Sequence, residues 1–122
     1  MIDFPKTVRS FHFAFAGIWQ FFRHENNARV HLLASGVVVA AGAYCGLNRG
    51  EWLWITLAVA LVWITEAVNT ALEKLTDLVS PGYDPRAGAV KDLAAGAVLI
   101  AAIAAAIIGA LVFWPHVVRV ND

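Results

Sequence analysis

Past its first thirty residues the chain is built from long apolar runs separated by short polar breaks. Residues 30–48 contain no Lys, Arg, Asp or Glu. Residues 93–118 are free of all four as well, and the run that begins at Trp52 stays apolar until its last third. About 20 apolar helical residues, rising about 1.5 Å each, cross a bilayer core of about 30 Å. The pattern therefore predicts transmembrane helices over 30–48, 52–78 and 89–115. Ahead of them, residues 6–24 have a different period. Val8, Phe11, Phe15, Ile18, Trp19 and Phe22 share one side of a helix, while Arg9, His12, Gln20 and Arg23 share the other. An aromatic face opposite a basic one suits an amphipathic helix lying at the membrane interface. Of the breaks, Asn48-Arg49-Gly50-Glu51 reads as a tight polar turn. Ser80 to Pro85 reads as a turn-rich loop, with the third span opening near Gly88. Trp52 and Trp54 are expected in an interfacial aromatic belt, and the small residues of the last span allow close helix approach in lipid.

Composition supports this reading. The 122 residues are 60% apolar and 15% charged, far from the balance of a soluble domain. They suffice for one domain, 1–122. The expected class is thus an all-α membrane protein. A net charge of zero gives no support to nucleic-acid binding. The single cysteine, Cys45, lies in an apolar run and is expected to be a packed, inert thiol. Arg9, His12 and Arg23 interrupt the Phe-rich start, so it does not read as a signal peptide. Lys6, Arg9, Arg23, Arg29, Lys74, Arg86 and Lys91 fall at one end of the predicted spans, against Arg49 and Arg119 at the other. That asymmetry puts the N-terminus and the 79–88 loop on the cytoplasmic side.

Within the middle span, Glu66, Asn69, Glu73 and Asp77 recur at i, i+3, i+7 and i+11. On a helix they occupy a strip of roughly 80°. Carboxylates at membrane depth are costly unless paired, wetted or metal-bound, which marks them as functional-site candidates. Glu25 and Glu73 are expected at similar depth on neighbouring helices. Hard oxygen ligands so placed suit Mg²⁺, whose shell substrate phosphates and waters complete. Lys91 and Asp92 fall in the first turn of the third span, where backbone N–H groups and a positive dipole end can receive phosphate. Glu66, partly buried, can accept a proton from a substrate hydroxyl, with Asn69 orienting the group. A polar clasp between helices explains Glu66 and Asn69 equally well. No Walker A, G-x-G-x-x-G or H-R-D sequence is present, so a nucleotide site would be of an uncommon kind. His24 and His31 are expected to be solvated interface histidines.

The segment E-A-V-N-T-A-L-E-K-L-T-D, followed after a loop by A-V-K-D-L-A-A-G-A-V-L, closely resembles the signature of the small bacterial integral-membrane lipid kinases, the diacylglycerol kinase and undecaprenol kinase family. The likeness runs from Phe11 to Pro115. It implies a homotrimeric bundle in the bacterial inner membrane, each subunit with an interfacial helix and three transmembrane helices. Composite active sites on the cytoplasmic side transfer the γ-phosphate of ATP, with Mg²⁺, to a lipid alcohol. By position, Glu66 matches the family's general base and Asn69 its polar neighbour in the substrate site. Glu25 and Glu73 match the metal-binding carboxylates that also face the nucleotide, and Lys91 and Asp92 match nucleotide-binding residues. Asp77, Tyr83, Asp84 and Gly88 fall where the family lines its nucleotide pocket. Lys6 stands where an Arg can occur and Phe13 where a Tyr can occur, so the chain departs from the pattern there. Arg23, His24, Arg29 and His31 give the N-terminal half a closer likeness to the undecaprenol kinase branch.

The resemblance implies phosphorylation of undecaprenol to undecaprenyl phosphate. The alternative acceptor is diacylglycerol, giving phosphatidic acid. From other classes come a small proton- or cation-conducting oligomer, since intramembrane acids also mark ion pathways, and a structural subunit whose acids only join helices.

Overall fold

The computed structural model describes the backbone of residues 1–121 and the side chains of residues 1–119. The chain forms four helices: α1 (Phe4–His24), α2 (Asn26–Cys45), α3 (Arg49–Val79) and α4 (Pro85–Asn121). The last three are long and apolar enough to cross a membrane. They run antiparallel, with α3 packed chiefly against α4 and α2 laid along them.

Each helix end has a local cause. The Asp3 side chain accepts the Lys6 backbone N–H at 3.1 Å and caps α1, which opens with Pro5 in its first turn. Glu25, in extended conformation, ends α1 and begins α2. Arg29, one turn into α2, reaches back across that break. Its Nε donates to the Phe22 carbonyl at 3.2 Å and its Nη2 to the Arg23 carbonyl. A guanidinium on the last carbonyls of a helix satisfies acceptors that lack helical partners and complements the dipole. Gly46 ends α2 in the left-handed region (φ 69°), and the Leu47 N–H then closes on the Gly42 carbonyl at 3.2 Å. Hence α2 stops at Cys45, short of residue 48.

Residues 48–51 are not a turn. Asn48 is the N-cap of α3. Its Oδ1 accepts the Glu51 N–H at 2.9 Å, and Glu51 Oε1 accepts the Asn48 N–H at 3.1 Å. That reciprocal capping box starts the helix at Arg49, before Trp52. The second oxygen of Glu51 meets His116 Nε2 at 2.8 Å, tying the start of α3 to the far end of α4.

A cluster of buried apolar residues lies at this end of the bundle. Leu47, Ile55 and Val112 are buried together, and Val38, Cys45, Trp52, Ile108 and Phe113 pack around them. Cys45 is thus a half-buried packing residue. Trp52 does not stand free in a belt: it is half-buried over Gly42, whereas Trp54 is exposed. A Cβ on Gly42 would lie 2.7 Å from Trp52 Cη2 and 2.9 Å from Leu47 Cδ1. Elsewhere the helices leave most large apolar side chains uncovered, among them Leu33, Leu53, Ile64, Leu93, Ile100 and Leu111. Only lipid or further protein can cover such a surface. At 31 residues, α3 is about 46 Å long, well beyond a hydrocarbon core of about 30 Å, so its last turns project from the apolar zone.

Candidate active site

The polar stripe of α3 grades from inside to outside. Glu66 and Asn69 are 3% and 7% exposed, and they are the buried polar residues among those described. Glu73 is half-buried, and Asp77 is exposed. The stripe therefore faces the chain's own neighbouring helices at its deep end and reaches water at the other.

Each member has a distinct partner. Glu66 Oε2 lies 3.5 Å from His31 Nε2 of α2. Asn69 donates through Nδ2 to Glu73 Oε1 at 3.3 Å, while its Oδ1 is buried without a hydrogen-bond partner. A buried acceptor left unmade is costly, which singles out the enclosed Asn69 oxygen as one that a ligand hydroxyl entering the site would satisfy. Asp77 Oδ1 holds Lys91 Nζ of α4 at 2.6 Å. Glu25 faces Lys74 Nζ of α3 at 3.8 Å. It does not pair with the Arg29 side chain, which is turned to the α1 carbonyls. The Glu25–Lys74 pair is largely exposed on the lysine side, and such pairs contribute little, so Glu25 can exchange partners cheaply.

His31 departs from expectation. It is half-buried against Glu66 rather than solvated, and a hydrogen-bonded chain ties its turn of α2 to α3. The Ser35 hydroxyl donates to the His31 carbonyl at 2.7 Å, and Trp63 Nε1 donates to Ser35 Oγ at 2.9 Å. Trp63 also stacks edge-on against Phe22, with ring centroids 5.2 Å apart. The sequence pattern sets His31 aside as solvated and does not single out Ser35 or Trp63, because their meeting depends on the register of α2 against α3. A signal was nonetheless present: His31 and Ser35 are one turn apart on α2, as Trp63 and Glu66 are on α3.

At the outer end, Asp77, Tyr83, Asp84, Gly88, Lys91 and Asp92 line one open hollow of about 490 Å³ around the 80–84 loop. The α4 N-terminus differs from expectation. Helix α4 begins at Pro85, not near Gly88, so the Gly88 N–H is already bonded to the Asp84 carbonyl at 3.1 Å. Pro85 has no N–H, and Asp84 Oδ1 takes that of Arg86 at 2.9 Å. This first turn is therefore largely satisfied by an acid, and Lys91 is the stronger anion-binding element of the hollow. The Arg86 side chain on Asp84 holds its carboxyl below the ordinary range, with the Arg86 backbone N–H adding to the effect. A depressed carboxylate stabilises the fold above its unfolded value, and that support fades only as pH falls through the lowered one.

Lys6 and Phe13 stand on exposed turns of α1, apart from the hollow. Phe13 instead lines a cleft with Phe21, Ala67, Ala71 and Lys74, between α1 and α3.

With respect to a metal, no three His, Cys, Asp or Glu side chains converge among the described residues. Mg²⁺ takes one or two protein carboxylates and leaves the rest to phosphates and water. Glu73, half-buried on α3, and Glu25, which faces the adjacent Lys74 of α3, are hard oxygen donors of the kind that ion takes.

The family model for prokaryotic diacylglycerol kinase matches residues 12–113. This chain belongs to that family. It is a multi-pass membrane protein and a lipid kinase, a class that takes its phosphate from ATP. Among its relatives, an undecaprenol kinase of Bacillus subtilis is 39% identical over 113 residues, covering 93% of this chain and 92% of that protein. A diacylglycerol kinase of Synechocystis is 39% identical over 112 residues, covering 91% of this chain and 64% of that protein. The diacylglycerol kinase of Escherichia coli is 26% identical over 113 residues, covering 93% of each.

Proposed function

We propose that this lipid kinase phosphorylates undecaprenol, with Glu66 as general base, at sites shared between the subunits of a homotrimer on the cytoplasmic side of the bacterial inner membrane. The observation that carries the reading is the buried Glu66 carboxylate, one turn from an unpartnered Asn69 oxygen, on a helix whose same face runs out to Asp77 and its partner Lys91 of α4. From Glu66 to Asp77 is 11 residues, about 16 Å along the helix axis. Glu73 lies between them. A nucleotide seated in the outer hollow must reach inward along this stripe to bring its γ-phosphorus near Glu66.

In the proposed reaction the lipid hydroxyl oxygen attacks that phosphorus in line. The new O–P bond forms as the bond to the β-phosphate oxygen breaks, ADP leaves, and the hydroxyl proton passes to Glu66. Asn69 orients the hydroxyl. Glu25 and Glu73 would hold Mg²⁺, which neutralises phosphate charge when bound. Lys91, steadied by Asp77, receives phosphate; Asp92, Tyr83, Asp84 and Gly88 shape the nucleotide hollow, and Lys6 and Phe13, which stand apart from it within one subunit, would join it from the interfacial, amphipathic α1 of a neighbouring copy. An apolar groove of about 290 Å³ runs from His31 past Val38, Ile55 and Val59 to Phe113, a lining that suits a hydrocarbon chain and sets no demand on its identity. Undecaprenol is preferred over diacylglycerol because the Bacillus subtilis relative combines 39% identity with a match over 92% of its length, whereas the diacylglycerol kinases match over 64% of their length or at 26% identity. The uncovered apolar helix faces and the open outer hollow favour assembly with further copies. The chain's place in a kinase family favours catalysis over ion conduction or a packing role.

The test is an acceptor panel: purified protein with MgATP and undecaprenol, diacylglycerol or ceramide offered separately. Undecaprenol should be phosphorylated fastest; faster transfer to diacylglycerol would make the product phosphatidic acid. Two variants probe the donor side. Lys91→Gln should raise the KM for MgATP about 10-fold or more, the worth of a charge-assisted contact to phosphate, with little change in the KM for lipid. Glu73→Gln should shift the Mg²⁺ titration to higher concentration; an unchanged titration removes Glu73 from the metal.

A further inference from the structure

We infer that His31 is a positioning residue for the phosphoryl transfer: its Nε2 holds one oxygen of Glu66 and leaves the other to take the substrate proton. The inference rests on Glu66 acting as the base. Four observations carry it. Glu66 is almost fully buried, and His31 is its charged or polar side-chain partner among the described residues, with Nε2 facing Oε2 at 3.5 Å. The two residues come from different helices, so the contact is a property of the assembled bundle. The Trp63–Ser35 bond, with Ser35 in turn on the His31 backbone carbonyl, fixes α2 against α3 within a turn of the pair, which sets where the His31 side chain leaves its helix relative to Glu66. Finally, His31 forms the polar head of the apolar groove between α2, α3 and α4, where the hydroxyl end of a lipid would arrive.

The chemistry is simple. A buried carboxylate has two oxygens and can rotate between them, and an unaimed base wastes most of its encounters. In the neutral ring, the tautomer bearing the proton on Nε2 presents a donor to Oε2. With that oxygen held, the other is left for the substrate hydroxyl. A carboxylate positioned this way resembles other catalytic bases whose orientation depends on a third group.

The experiment compares two replacements of similar length, His31→Gln, which retains an N–H donor near Nε2, and His31→Met, which has none. His31→Met should lower kcat about 10- to 100-fold, the worth of one hydrogen bond to a charged group, with the KM for MgATP and the thermal midpoint in detergent unchanged. His31→Gln should recover most of that loss. In a Glu66→Gln background, His31→Met should cost nothing further, because it acts only through Glu66. Wild-type kcat in His31→Met overturns the inference. Equal losses in the Gln and Met variants overturn it too, as do losses that multiply with Glu66→Gln. If both single variants unfold, the residue is structural and the inference falls. Full activity in Glu66→Gln alone is a separate result, and it removes the base assignment itself.

Discussion

Glu66→Gln is expected to reduce lipid phosphorylation by at least about 100-fold, the lower range for losing a general base. The substitution keeps the shape and the hydrogen-bonding capacity of a side chain that is only 3% exposed. It removes only the basic oxygen. Helix content and thermal midpoint should be retained, or should rise slightly, because an amide is cheaper than a carboxylate to bury. The measurement is initial rate with labelled ATP and saturating lipid, together with the ATPase rate in the absence of lipid. A variant that folds, binds MgATP with wild-type affinity and transfers no phosphate locates the defect in the chemical step. Wild-type transfer would move the base elsewhere and leave Glu66 as an inter-helix clasp with His31.

At the opposite end of the bundle, Gly42→Leu should cause a large loss of stability. A Cβ alone would lie 2.7 Å from the Trp52 ring and 2.9 Å from Leu47, closer than packed atoms tolerate. Leu has a better helix propensity than Gly by somewhat less than 1 kcal/mol. Overpacking a tight site costs about 1–3 kcal/mol, occasionally more, so the clash wins. Trp52 would be driven off its seat over the Leu47–Ile55–Val112 cluster. The thermal midpoint in detergent should fall. Because the closest clash is with the Trp52 ring, Gly42→Leu combined with Trp52→Ala should be less damaging than the sum of the two. Gly36 provides the contrast. Nothing in the chain lies within 4 Å of a Cβ there, so Gly36→Ala should be neutral or mildly stabilising in an isolated subunit. A clear loss at Gly36 would indicate that another copy packs against that face.

These two expectations draw on different kinds of information. The apolar runs alone determined the three long helices, because a chain in lipid must satisfy its backbone hydrogen bonds internally and has few ways to do so. The i, i+3, i+7, i+11 spacing likewise determined that Glu66, Asn69, Glu73 and Asp77 share one face, since a helix fixes the angle between residues whatever surrounds it. Local chemistry was also legible where it was weighed correctly. The Asn48-to-Glu51 spacing is a capping box, and Pro85 after Asp84 is a helix start. Reading these as turn and loop misplaced the beginnings of α3 and α4, because polar, Gly- and Pro-containing segments serve turns and caps alike.

What no one-dimensional pattern carries is the register between helices. That register turns the stripe inward rather than toward lipid, sets His31 against Glu66, and hands Arg29 to the α1 carbonyls while leaving Glu25 to Lys74. It also places Trp52 over Gly42. A helix specifies its own faces from within, but which faces meet is decided by side-chain packing and hydrogen bonds between segments distant in the chain. The sequence by itself determined the helices and the acidic face; only the tertiary structure decided what that face looks at.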